Sequence, residues 1–145
     1  MQLLKIYYAY FSPGNTTEKV VSHITSSFQN YPVESINLTD YATRQEDYYF
    51  KENELLIIGV PAYGGRVPAP VVDALRHFTG SNTPVVLVAT YGNRDIDDTL
   101  IELKKNVIDK GFIPVGAASF VCQHTFLKEC AEGLSLIHIS EPTRP

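Results

Sequence analysis

Apolar positions along the chain come in two textures. Leu3 to Tyr10, interrupted only by Lys5, and the runs Leu55 to Val60, Pro84 to Thr90 and Phe112 to Val121 are short and almost unbroken. Strands buried on both faces of a parallel sheet read this way. Between the runs, apolar residues recur at helical spacing: Val20, Ile24 and Phe28; then Val71, Val72, Leu75 and Phe78; then Ile96, Leu100, Leu103 and Val107. The last set advances by four, three and four and is followed by Gly111 as a C-cap, the clearest helix in the chain. Asn15-Thr16-Thr17-Glu18 supplies an N-cap with a Glu three residues on, and the first helix ends near Asn30-Tyr31-Pro32. Pro68 and Pro70 fall in the first turn of a later helix, where proline is tolerated. Val33 to Leu38 is a second strand. The polar stretch from Thr39 to Asn53 reads as a loop with at most a short helix, and Thr125 onward starts a fifth helix.

Strands alternating with helices predict an α/β three-layer sandwich whose parallel sheet is wound by right-handed crossovers. Five strands over residues 1–133 suit the order 2-1-3-4-5, with the last helix cut short. In that order ligands bind beyond the carboxyl ends of the strands, where the order reverses between the first and third strands. The loops to read are residues 11 to 17, 61 to 67, 90 to 95 and 122 to 126.

At 145 residues the chain has the size of one domain, and its 44% hydrophobic and 19% charged residues are ordinary for a globular protein. A net charge of −4 argues against nucleic acid, whose phosphates call for clustered Lys and Arg. No run approaches the roughly 20 apolar residues needed to cross a bilayer. The N-terminus enters the first strand without a signal-like segment, so the expected compartment is cytoplasmic and no membrane partner is expected. Cys122 and Cys130 match neither a zinc pair nor a C-x-x-C motif and are expected to be reduced, with no metal site. The Asn-x-Thr matches at Asn15 and Asn37 matter only in a secreted chain.

In the first loop, Ser12-Pro13-Gly14-Asn15-Thr16-Thr17 combines a glycine that admits a close ligand, hydroxyl donors and a helix N-terminus with free N–H groups. Those features make a phosphate site without Lys or Arg. Ser, Asn and Thr are equally good capping residues, so the segment alone leaves both readings open, and its place after the first strand favours phosphate. Arg66 and Arg94 stand beside glycine turns, where arginines are commonly solvated or paired. Asp95, Asp97 and Asp98 suit the first turn of a helix better than a metal. His124 lies beyond the fifth strand within reach of a ligand there, whereas His23 and His77 fall on helices without ligand-like spacing.

Tyr10 to Thr17 resembles the flavodoxin phosphate signature Ser/Thr-x-Thr-Gly-x-Thr, with Gly14-Asn15 standing where Thr-Gly is usual. Pro61-Ala62-Tyr63-Gly64-Gly65-Arg66-Val67-Pro68 and Ala89-Thr90-Tyr91-Gly92-Asn93-Arg94-Asp95 resemble the flavodoxin-like half of proteins that fuse this domain to a two-cluster [4Fe-4S] ferredoxin. The likeness covers residues 3 to about 130. It implies FMN, with the phosphate on Ser12, Gly14, Asn15, Thr16 and Thr17, and the ring among Ala62, Tyr63, Gly64, Gly65, Thr90, Tyr91, Gly92, Arg94 and His124. Tyr63 and Tyr91 suit the faces of the ring. The Gly64-Gly65 pair would let a peptide turn over towards flavin N5. The implied function is an FMN electron-transfer module serving ferredoxin-type redox partners, with no catalytic side chain of its own and the oligomeric state left open. A Cys-x-x-Cys-x-x-Cys run is missing here, so [4Fe-4S] clusters would belong to a C-terminal region beyond this sequence. Alternatives are an NAD(P)H-dependent FMN or quinone reductase, whose arginine-containing loop has no counterpart in residues 11 to 17, and a flavin-free interaction module. Residues 134–145, Leu-Ser-Leu-Ile-His-Ile-Ser-Glu-Pro-Thr-Arg-Pro, resemble a translated sequencing adapter, which implies a non-native tail in which His138 carries no function.

Overall fold

The computed structural model describes residues 2–92, 97–121 and 138–140. Along the chain run β1 (Lys5–Tyr10), α1 (Thr16–Thr25), β2 (Val33–Asn37), α2 (Tyr41–Arg44), β3 (Tyr48–Tyr49), β4 (Glu54–Pro61), α3 (Ala69–Leu75), β5 (Phe78–Thr79), β6 (Thr83–Tyr91), α4 (Asp97–Asp109), β7 (Phe112–Val121) and β8 (His138–Ser140). The main sheet has the order β2-β1-β4-β6-β7-β8. Its first five members are mutually parallel, the expected 2-1-3-4-5 once the short strands β3 and β5 are numbered separately.

Two features depart from the sequence reading. Phe78, placed by its spacing on the helix stripe, lies past the end of α3 and pairs as β5 with β3 in a small parallel ladder. Its ring is worth more in the core, where it meets Phe50 at 5.3 Å, than on a helix that has ended at Leu75. The other is β8, inside the segment set aside as a tail, whose backbone pairs antiparallel with Ala117 to Ser119. An edge strand offers unpaired N–H and C=O groups to any extended segment. The fifth helix, Cys122 and Cys130 lie outside the described residues.

β4 explains why a buried strand reads as an unbroken apolar run. Leu56, Ile58 and Val60 enter one core with Val71, Ala74 and Leu75 of α3 and Leu103 and Val107 of α4, while Leu55 and Ile57 enter a second with Val20 and Val21 of α1. Helices therefore cover both faces. Opposite Val85 and Val86 of β6 the register of β7 slips: they pair with Pro114 and Gly116 and leave Val115 as an extra residue. A one-residue bulge reverses the alternation of faces, so Phe112 joins the α3/α4 core and Phe120 the α1 core.

Gly59 sets how close α1 comes to the sheet. A Cβ there would meet Val21 Cγ2 at 2.1 Å and Thr17 Cγ2 at 3.2 Å, so only a residue without a side chain lets the first two turns of α1 rest on β4. Among the described residues no helix is long and apolar enough to cross a membrane.

Candidate functional site

The first loop is held by Ser12. The Glu18 N–H donates to Ser12 Oγ at 2.9 Å and the Asn15 N–H donates to the Ser12 carbonyl at 3.1 Å. The Ser12 N–H in turn donates to Thr39 Oγ1 at 2.7 Å, tying the loop to the end of β2. This corrects the capping reading: Asn15 occupies the cap position but with a left-handed backbone, φ 67° and ψ −5°, and its side chain makes no capping bond. A capping side chain normally needs an extended backbone, and at Asn15 the backbone turns the chain instead. Thr16 and Thr17 open α1 and have no helical acceptor. Among the described residues, the N–H groups of Gly14, Thr16 and Thr17 donate to none. Asn15, by contrast, has its N–H committed to the turn.

The second loop is a two-residue hairpin. Tyr63 and Arg66 exchange N–H···O bonds of 2.9 and 3.0 Å, and both intervening glycines have positive φ, 59° at Gly64 and 78° at Gly65. Positive φ at both central positions is the type I′ pattern for which Gly-Gly is a strong signal. From the sequence, these glycines are expected only to let a peptide turn over towards a ligand. Upstream, the Ala62 N–H donates to the Thr90 carbonyl at 2.8 Å, and the Tyr63 ring meets buried Phe11 edge-on at 6.3 Å. Downstream, Glu102 of α4 takes both the guanidinium of Arg66 and the N–H of Val67. The Arg66 hydrogen bonds hold the Glu102 carboxyl below its ordinary range, with the Val67 N–H adding to the effect against partial burial.

The third loop begins at the end of β6. Buried Thr90 and Thr17 share a hydroxyl–hydroxyl hydrogen bond of 2.8 Å that joins β6 to the first turn of α1. Tyr10, the last residue of β1, lies beneath the same edge. Burial, reinforced by the nearby Glu18 carboxylate, pushes its phenol up to about 12.

The three loops enclose a cavity of about 390 Å³ lined by Ser12, Pro13, Gly14, Thr16, Thr17, Pro61, Ala62, Tyr63, Thr90, Tyr91 and Gly92. That lies within the usual range for small-molecule sites, on the order of 300–1,000 Å³. Nine of the residues named from sequence are thus in this lining: Ser12, Gly14, Thr16, Thr17, Ala62, Tyr63, Thr90, Tyr91 and Gly92. Asn15, Gly64 and Gly65 stand next to lining residues without lining the cavity themselves. Pro13 and Pro61 line it and were not named, although their places beside Gly14 and Ala62 would have suggested them. Thr39 and Glu102 were missed because nothing near them in sequence marks them. Arg94 and His124 lie outside the described residues. Arg66 is paired, as arginines beside glycine turns often are, but with a partner 36 positions away.

No protein-family model and no curated protein matches this chain. Solved structures do. A flavodoxin from the domain Archaea is similar over 92% of this chain and 96% of its own, with TM-score 0.61 and 14% identity. The two-electron reduced flavodoxin of Megasphaera elsdenii is similar over 90% of this chain and 98% of its own, at TM-score 0.58 and 18% identity. The flavodiiron core of Flv1 from Synechocystis sp. PCC6803 is similar at TM-score 0.57 and 19% identity, over 92% of this chain but only 35% of that one. At these identities the likeness establishes the fold, which is flavodoxin-like.

Proposed function

We propose that the chain binds FMN in the three-loop cavity and serves as an electron-transfer module. The observation that carries this reading is that Gly14, Thr16 and Thr17, whose N–H groups have no acceptor among the described residues, line the same cavity as Tyr63 and Tyr91. Free N–H groups at a helix N-terminus suit a phosphate, and the two tyrosines suit an aromatic ring. A Cβ added at Gly14, Gly64 or Gly92 would meet nothing within 4 Å, so there is open space on all three loops for a ligand to approach the backbone. The residues present therefore fit the cofactor.

When bound, FMN supplies one- and two-electron redox chemistry, and the protein supplies position and surroundings. Gly14, Thr16 and Thr17 would hold the phosphate through backbone N–H groups and the Thr16 hydroxyl. The Thr17 hydroxyl is engaged with Thr90 and keeps the two walls in register. Tyr63 and Tyr91 would exclude water from the ring. The electron partner is read as a ferredoxin-type iron–sulfur protein, fused or separate, on the resemblance of residues 61–68 and 89–95. The flavodiiron core, in which a similar fold makes up about a third of a longer chain, supports the idea of a module within a larger redox protein.

Titrating the cofactor-free chain with FMN tests the reading. Saturable quenching of flavin fluorescence is expected, and its absence would sink the proposal. Anaerobic NADPH then separates carrier from reductase: a carrier stays oxidised until a partner protein is added, whereas rapid bleaching by NADPH alone would favour a reductase.

A further inference from the structure

The Tyr63–Arg66 hairpin cannot set its own direction. It is closed by a single antiparallel bridge across two glycines, and an isolated hairpin of any length is marginal in water. What fixes it must come from outside. The upstream arm is held at Ala62 by β6 and at Tyr63 by Phe11. The downstream arm is held by one carboxylate. Glu102 accepts from Arg66 Nε at 2.9 Å, from Arg66 Nη2 at 3.1 Å and from the Val67 N–H at 3.0 Å. The Arg66 side chain is 65% exposed and Glu102 only 24%, so α4 provides the fixed end and the hairpin the end that is caught. Paired forks of this kind set geometry as well as adding energy.

We propose that Glu102 is a positioning residue for the cavity: from α4 it fixes the pose of the Tyr63–Arg66 hairpin and thereby sets how tightly the tyrosine wall closes on a flavin ring. The inference rests on the flavin reading of the site. Because Arg66 neutralises the carboxylate, Glu102 contributes orientation rather than a field. Its influence is therefore on the ring end of a ligand and not on the phosphate end.

The test uses Glu102→Ala in the full chain, a change that favours the helical state of α4 itself. Arg66→Gln, on an exposed side chain, is the second variant. Amide hydrogen exchange is read in the cofactor-free protein, and affinity is read for FMN and for riboflavin, which lacks the phosphate. Both variants are expected to speed exchange at Arg66 and Val67 and to weaken FMN and riboflavin by the same factor, about fivefold, the upper part of the range for a largely exposed ion pair. Unchanged exchange would overturn the clamp. Faster exchange with unchanged flavin affinity would overturn the positioning role, as would a loss confined to FMN, which would place the effect at the phosphate. Wild-type protein that binds neither flavin would defeat the parent reading, and that failure is distinguishable because it shows before any substitution is made.

Discussion

Inside the first loop, hydrogen bonds span no more than six positions and centre on Ser12 or Asn15, while Phe11, Ser12 and Thr17 tie the loop outward to Gly59, Thr39 and Thr90. The Tyr63–Arg66 hairpin takes its pose from Glu102, 36 positions further along. Both reach the same cavity. The first loop is a local object whose free N–H groups follow from where a helix begins. The second is local only in its turn, and its direction belongs to the tertiary structure. A cavity built this way has one wall shaped at the start of its own helix and another whose downstream arm is held by α4.

Gly59→Ala is expected to give the largest effect, because it attacks the foundation the two loops share. β4 leads into the hairpin, and its bare Cα at Gly59 seats the helix that carries the first loop. Overpacking against Val21 should cost about 2–3 kcal/mol of stability. Flavin affinity should fall with it. A denaturant midpoint equal to wild type would break the comparison by showing that α1 finds its height elsewhere. Thr17→Val comes next. It keeps the shape but leaves the buried Thr90 hydroxyl unpaired, at a cost of about 1–2 kcal/mol readable in thermal or chemical melts. A neutral result would mean the first loop does not depend on β6.

The smallest effect sharpens the contrast by pH. The Glu102 carboxyl titrates below its ordinary value in the folded protein, so its contribution is present above about 4.3, the value of an unfolded glutamate, and is lost as pH falls through the depressed value. Tyr10 is displaced the other way, to about 12. Its contribution is complete below about 10, where an unfolded tyrosine ionises, and is lost as pH rises towards the folded value. Acid should therefore loosen the hairpin first and alkali the base of the first loop. Melting curves against pH for Glu102→Ala and Tyr10→Phe check this: the first should flatten the acid limb and the second the alkaline limb. Tyr48, also raised to about 12 mainly by burial, will keep part of the alkaline limb in Tyr10→Phe.

What was legible in the sequence divides along the same line. The order of the five long strands, the two sheet faces and the residues around the cavity follow from short-range patterns in residues 3–121. Phe112 and Phe120 show where such patterns end. An even separation places them on one face, and the extra residue at Val115 places them on two. Pro114 and Gly116 on either side were the available signal, since both residues favour irregular strand geometry. Asn15 misled for a related reason: its type suits a cap, but its left-handed backbone gave that task to Ser12. Glu102 could not have been found at all, because its meaning lies in the packing of α4 beside the hairpin and its own helical turn reads as ordinary surface.

The contact between Gly59 and Val21 makes volume at these two positions a shared quantity. A methyl gained on the strand has to be matched by carbon lost from the helix, so Gly59→Ala with Val21→Ala should recover much of what Gly59→Ala alone loses. Positions 59 and 21 would then drift only as an exchanged pair of sizes, and a library that varies either one alone would find the site intolerant of change for reasons unrelated to the ligand.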